Sequence, residues 1–175
     1  MAFQQALEVY TREQYPKQSV TLQFALGRAF FQQSETAKGQ EKIRLLESAA
    51  AAFQQASAGL TRAGQPKDWA FQQFQLGDAF QRLAEKTSGE ERARLFEAAL
   101  AAFRQALEVF TLHYEPQMWA VTQMGIGMVL HFQGRVRGGA EGRHLLTESE
   151  AALRRALDVY TPESQLFLSA LERST

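Results

Sequence analysis

The chain has no cysteine, which excludes disulfides, thiolate metal sites and cysteine nucleophiles together. It also lacks an excess of either charge. With 19 Lys+Arg against 19 Asp+Glu, no overall field draws it to nucleic acid or to an anionic membrane, and neither is expected as a partner. Long apolar runs are missing as well: the longest are alanine-rich pieces such as Ala98 to Phe103, too short to cross a bilayer. Met1 to Arg12 carries Gln4, Gln5 and Glu8 where a secretion signal needs an apolar run, so the expected location is the cytoplasm. The three histidines, His113, His131 and His144, show no metal-ligand spacing, and Gly134-Arg-Val-Arg-Gly138-Gly139 lacks the lysine-serine/threonine ending of a phosphate loop. No residues stand out as carriers of catalysis. The chain is therefore not expected to be an enzyme, and no cofactor or metal is expected.

What is present is a repeat. The stretch Phe103-Arg-Gln-Ala-Leu-Glu-Val-Phe-Thr111 has near-copies at Phe3 to Thr11, Phe53 to Thr61 and Leu153 to Thr161, each 50 residues from the next. Three of the four prolines, Pro16, Pro66 and Pro116, fall at one phase of this period, where a fixed φ and a missing N–H suit the first turn of a helix. Behind each proline runs an apolar stripe at spacings of three and four: Leu26 with Phe30; Trp69, Gln73, Leu76 and Phe80; Trp119, Gln123, Ile126 and Leu130. These are read as core, the two tryptophans included. Gly27, Gly77 and Gly127 flank the stripe, and a glycine inside a helix costs about 1 kcal/mol against alanine, which points to close backbone approach by a neighbouring helix. Turns follow at Gly39, Gly89 and Gly139. A second helix then carries Leu45-Leu46, Leu95-Phe96 or Leu145-Leu146, a run of small residues, and the repeated stretch. The six glycines between Gly125 and Gly142 are expected to loosen the first helix and hairpin of the third repeat. Residues 1–14 read as a half-repeat helix, 15–64, 65–114 and 115–161 as three repeats, and 162–175 as a truncated helix.

These residues resemble the tetratricopeptide repeat family, whose pattern W-x2-L-G-x2-Y…A-x3-F ends near a proline. Leu26-Gly27-x2-Phe30, Leu76-Gly77-x2-Phe80 and Ile126-Gly127-x2-Leu130 match its first part. Ala49-x3-Phe53, Ala99-x3-Phe103 and, more weakly, Ser149-x3-Leu153 match its second. The departures are a period of 50 against about 34 in the standard repeat, glutamine at 23, 73 and 123 where tryptophan is preferred, and Thr61, Thr111 and Thr161 in place of the proline. The resemblance implies an all-α fold, a single array of antiparallel helix pairs wound into a right-handed superhelix. It is closest in kind to long-repeat variants in bacterial regulatory and signalling proteins, where such arrays bind partners.

In that family the face of the first helices opposite the core stripe lines a concave surface. Here it comprises Phe24, Arg28 and Phe31, then Phe71, Phe74, Asp78 and Gln81, then Val121, Met124, Met128 and His131, with Thr21 at its edge. Much of it is apolar, and a helix that is apolar on two sides is normally buried. The function this implies is a scaffold or adaptor binding a partner peptide, helix or subunit through the concave face. Self-association through the groove, or cover by the chain's own Leu166 to Leu171, would fill the same surface. The alternative is a sensor or carrier that encloses a small apolar ligand between Phe24, Phe74 and Met124. A rival to both is that consecutive first helices touch and hide this face, Phe71 and Val121 first. Arg135, Arg137, Arg143 and His144 form a local basic patch that reads as a solvated turn. The far-ultraviolet circular dichroism spectrum is expected to show helix alone; substantial sheet signal would contradict the periodicity.

Overall fold

The computed structural model describes residues 9–11 and 13–159. Among them are six helices and no strand: α1 (Pro16–Thr36), α2 (Gly39–Ser57), α3 (Pro66–Ala84), α4 (Gly89–Leu107), α5 (Pro116–Arg137) and α6 (Gly139–Asp158). Of the half-repeat expected over 1–14, residues 1–8 and 12 lie outside the described residues, as does the whole of the truncated helix expected over 162–175. The chain divides into two compact units, Met1–Val109 and Phe110–Thr175.

In the first unit α1 packs on α2, α2 on α3, and α3 on α4. Its core joins Ala49, Ala50 and Phe53 of α2 to Leu76 and Ala79 of α3 and Ala102 of α4, with Phe24, Phe30, Phe31 and Phe80 packed against it. The alanines are what let the helices approach, and the phenylalanines supply the apolar area, at roughly 1.5–3 kcal/mol for each ring fully removed from water. In the second unit α5 and α6 form one hairpin. Gly134 faces Gly142 near its turn while Gly127 faces Ser149 and Leu153 farther along, which fixes the antiparallel course. Trp119 packs there against Ala120, Ala156 and Val159.

Each first helix begins at the recurring proline, as the period requires. The threonine that stands where the resemblance calls for proline builds the corner before it. The carbonyls of Thr11, Thr61 and Thr111 accept from the amides of Tyr15, Gln65 and Glu115 at 2.8, 3.0 and 3.0 Å. Their Oγ1 atoms accept from the amides of Gln14, Gly64 and Tyr114 at 3.4, 3.0 and 3.1 Å. A hydroxyl thus satisfies a turn amide that proline could not reach. Gly39, Gly89 and Gly139 open the second helices at φ of 57°, 60° and 57°, a left-handed conformation that costs an L side chain about 1–2 kcal/mol.

Two glycine expectations need correction. The neighbour that requires Gly27 and Gly77 is a side chain rather than a backbone: a Cβ at either position would lie 2.7 Å from the ring of Phe53 or Phe103. At Gly127 the same place is taken by Leu153 at 2.7 Å, and the Ser149 hydroxyl donates to the Gly127 carbonyl at 2.7 Å. The glycines of the third repeat also do not loosen it. α5 runs 22 residues without interruption, and Gly125, Gly127, Gly134 and Gly142 are buried. Contact with the facing helix, including the backbones of Gly134 and Gly142 against each other, offsets their weak helix propensity.

Because Phe103 is only 1% exposed, its ring has no room to yield to a new methyl group. Overpacking of roughly 1–3 kcal/mol, less the roughly 1 kcal/mol alanine gains as a helix former, gives an expected net loss of up to about 2 kcal/mol for Gly77→Ala in urea denaturation. Phe103→Leu should cost less in that variant than in the parent, since the smaller side chain makes room for the methyl.

Candidate functional site

The face singled out on α1 and α3 is built largely of rings in mutual contact. Phe24 lies 5.8 Å from Phe53 and 5.7 Å, edge to face, from Phe71; Phe71 stacks on Phe74 at 6.4 Å; and Phe74 lies 5.9 Å from Phe103. First helices therefore touch each other through Phe24 and Phe71 within this unit. Phe24, Phe31, Phe71 and Phe74 are all half-buried, so they serve packing and surface at once. Arg28 is exposed, with its guanidinium 5.9 Å from the Phe24 ring. Gln81 is the misplaced member: it is 4% exposed and donates to Glu85 at 3.3 Å, so it is packed away rather than presented on the face.

Asp78 is tied to this face by Arg82, whose Nε donates to its carboxylate at 3.1 Å while the guanidinium sits 4.7 Å over the Phe31 ring of α1. Burial holds the Asp78 pKa above its ordinary value. The charge and hydrogen bond of Arg82 oppose that rise without cancelling it, and Glu85 and Glu35 add to it.

On α5 the face is different. Val121 is half-buried, Met124 and Met128 are 44% and 39% exposed, and His131 is exposed. One turn on, Phe132 and Val136 are exposed too. The opposite side of the same helix, with Ala120, Thr122, Gln123, Ile126 and Leu130, is buried, and Thr122 donates to the Met118 carbonyl at 2.6 Å. In the basic patch Arg137 is ion-paired with Glu141, and His144 stands 3.9 Å from Glu148.

A cleft of about 450 Å³ that the sequence reading missed lies in the first unit, at the N-terminal ends of α1 and α3. Val20 and Phe24, Phe71 and Gln72, and the Gly59-Leu60 turn after α2 line it. Gln73 donates to the Ser57 hydroxyl at 2.6 Å, whereas the Oε1 of Gln72 is buried with no hydrogen-bond partner. The available signal was a second glutamine beside the recurrent column at 23, 73 and 123, at a phase where the other repeats carry Leu22 and Thr122. Among the described residues no three His, Asp or Glu side chains are grouped to hold a metal ion, and no helix is long and apolar enough to cross a membrane. The possible cover from Leu166 to Leu171 lies outside the described residues.

Nothing matches this chain among protein-family models, curated proteins or solved structures. The site is therefore read from its own chemistry.

A raised Asp78 pKa has a definite sign. The native carboxyl binds a proton more readily than the unfolded one, so above about pH 4 the native state holds more protons and its stability falls as pH rises to the folded value. Asp78→Asn removes that fall while keeping an acceptor for Arg82. Urea denaturation of both proteins between pH 4 and 7 is expected to show the variant gaining on the parent as pH rises, with a constant difference excluding the burial effect.

Proposed function

We propose that the chain is a protein-interaction module that holds a partner peptide, helix or subunit against the apolar faces of α1, α3 and α5. The observation that carries this is the exposure of Met124 and Met128 at i,i+4 on the side of α5 turned away from its hairpin partner. Both side chains stand at helical spacing on the outer side of a helix whose other side is already packed. Methionine, flexible and polarisable, suits a surface that must fit an apolar partner. The reading includes the right-handed superhelix implied by the tetratricopeptide resemblance, a single array rather than separate domains, and a non-catalytic role in the cytoplasm of a bacterium. An enclosed small apolar ligand has less to support it, because the cleft between α1 and α3 is rimmed by the exposed Pro16, Lys17, Gln65 and Asp68.

Selection of a random peptide library on the purified chain tests the reading. Peptides with two apolar anchors at helical spacing are expected. Met124→Ser combined with Met128→Ser should weaken them about tenfold or more, as truncation at the centre of an interface does, while stability stays within about 1 kcal/mol of the parent. Phe74→Ser is expected to cost about 2 kcal/mol or more in stability, since it empties a ring site against Phe71 and Phe103. Selected peptides that bind the methionine variant as tightly as the parent would overturn the role of α5.

A further inference from the structure

We propose that the outer row of α5 seats an amphipathic helix of a partner protein, acidic in its first turn and laid antiparallel to α5. This rests on the reading of the chain as an interaction module and names the chemistry of its ligand. Beyond Met124 and Met128 the row continues at the same spacing through Phe132 and Val136, which are 37% and 65% exposed. The corresponding row reads Phe24, Arg28, Gln32 and Thr36 in the first repeat and Phe74, Asp78, Arg82 and Lys86 in the second. The packing of α1 and α3 is thus achieved with polar residues at the positions where α5 has Met128, Phe132 and Val136. Four exposed apolar side chains in one row are the kind of patch that marks contact with another molecule.

The shape of the row selects a helix as its occupant. From 124 to 136 it runs about 18 Å at the rise of an α-helix, and an i,i+4 ridge is what the groove of a second helix receives. An extended peptide would need a sheet edge to satisfy its backbone, and no strand is present among the described residues. A helix satisfies its own amides. Charge sets the rest of the chemistry, since α5 contains no Asp or Glu and its His131, Arg135 and Arg137 all lie in its second half. His131 and Arg135 are exposed and border Phe132 and Val136 along the helix. Arg137 is ion-paired with Glu141, whereas Arg135 has no ion-pair partner among the described residues. The Val136 end of the row is therefore basic, and the Met124 end carries no charge of the helix's own. A partner with carboxylates at one end seats that end against Arg135. Carboxylates favour the first turn of a helix, where they meet the positive end of its dipole, so the partner's N-terminal turn lies at the C-terminal end of α5. The two helices then run antiparallel.

The test is fluorescence anisotropy of the full chain with labelled peptides of about 20 residues, long enough to span the row. All carry one leucine stripe at helical spacing, with glutamates in the first turn, lysines in the first turn, or glutamates in the last turn. The first is expected to bind about fivefold more tightly than the second at low salt, the order set by exchanging an exposed attraction for a repulsion, and to lose that preference as salt is raised. Arg135→Glu should reverse the preference, which separates contact with α5 from any difference in the peptides' own helicity. Met128→Asp, Phe132→Arg and Val136→Lys together give α5 the residues that the second repeat carries in this row, so that variant should keep its circular dichroism spectrum and lose the acidic peptide. No binding of the acidic peptide, equal binding of the glutamate and lysine forms, a preference unchanged by Arg135→Glu, or binding retained by the triple variant would overturn the proposal. Equal affinity for the peptide with glutamates in its last turn would overturn the antiparallel course. Two other occupants would overturn it as well. The chain's own tail would show itself as about tenfold tighter peptide binding after Phe167→Ser with Leu171→Ser, and a second copy as a dimer in sedimentation that the triple variant dissolves. Library peptides that depend on Met124 and Met128 but carry no acidic residue would overturn this proposal and leave the module standing; if neither library nor designed peptides bind, both readings fall.

Discussion

Each hairpin is held in register by a missing methyl group. Gly27, Gly77 and Gly127 make room for Phe53, Phe103 and Leu153, and in each case the space left by the glycine is the space the opposing side chain fills. A core packed to the density of a crystal does not tolerate such a site half-filled or overfilled. The alanines around it follow from the same constraint, since larger residues at Ala49, Ala52, Ala99 or Ala102 would push the helices apart and lift the ring from the glycine. The rest of the first unit is arranged about these locked rings: Phe24 leans on Phe53, Phe74 leans on Phe103, and Phe71 closes the gap between them.

That arrangement explains why one phase of the repeat does different work on different helices. On α1 and α3 the face opposite the core stripe is occupied by phenylalanines that reach each other, through Phe24 and Phe71, and the second helices behind them, through Phe24 to Phe53 and Phe74 to Phe103, so they cannot be spent wholly on a ligand. On α5 the same phase carries methionines with 44% and 39% of their surface in water. The rings contribute rigidity and the methionines an adaptable surface. The interaction module proposed above would need both, a stiff frame and a contact region able to adjust.

Helix boundaries, the proline starts, the glycine turns and the hairpin pairing were legible in the sequence because a 50-residue period repeats each of them at one phase. Features that differ between repeats were not. Gln81 was assigned to the face although it is buried, because its column reads Phe31 and His131 in the other repeats and periodicity reports phase rather than depth of burial. The glycines of α5 read as loosening because composition counts them without knowing that Gly134 and Gly142 face each other. The cleft beside Gln72 was invisible for a related reason: part of its lining comes from the Gly59-Leu60 turn, in a stretch where the second repeat motif departs from its copies, and Gln72 itself is replaced by leucine at 22 and threonine at 122. The threonine corners carried a signal that was noticed without its meaning, since a missing proline shows only as a departure until its hydroxyl is seen to hold a turn amide.

Both halves of every glycine lock belong to the same hairpin, Gly27 with Phe53, Gly77 with Phe103 and Gly127 with Leu153. The unit of inheritance in this protein is therefore the hairpin. Duplicating or deleting whole hairpins at the threonine corners leaves each lock complete, whereas a recombination point inside the Gly39, Gly89 or Gly139 turn joins a notch to a foreign knob and must be repaired by a second change in the facing helix. Chains of this kind keep every lock when they change length by whole hairpins, and change helices only in pairs.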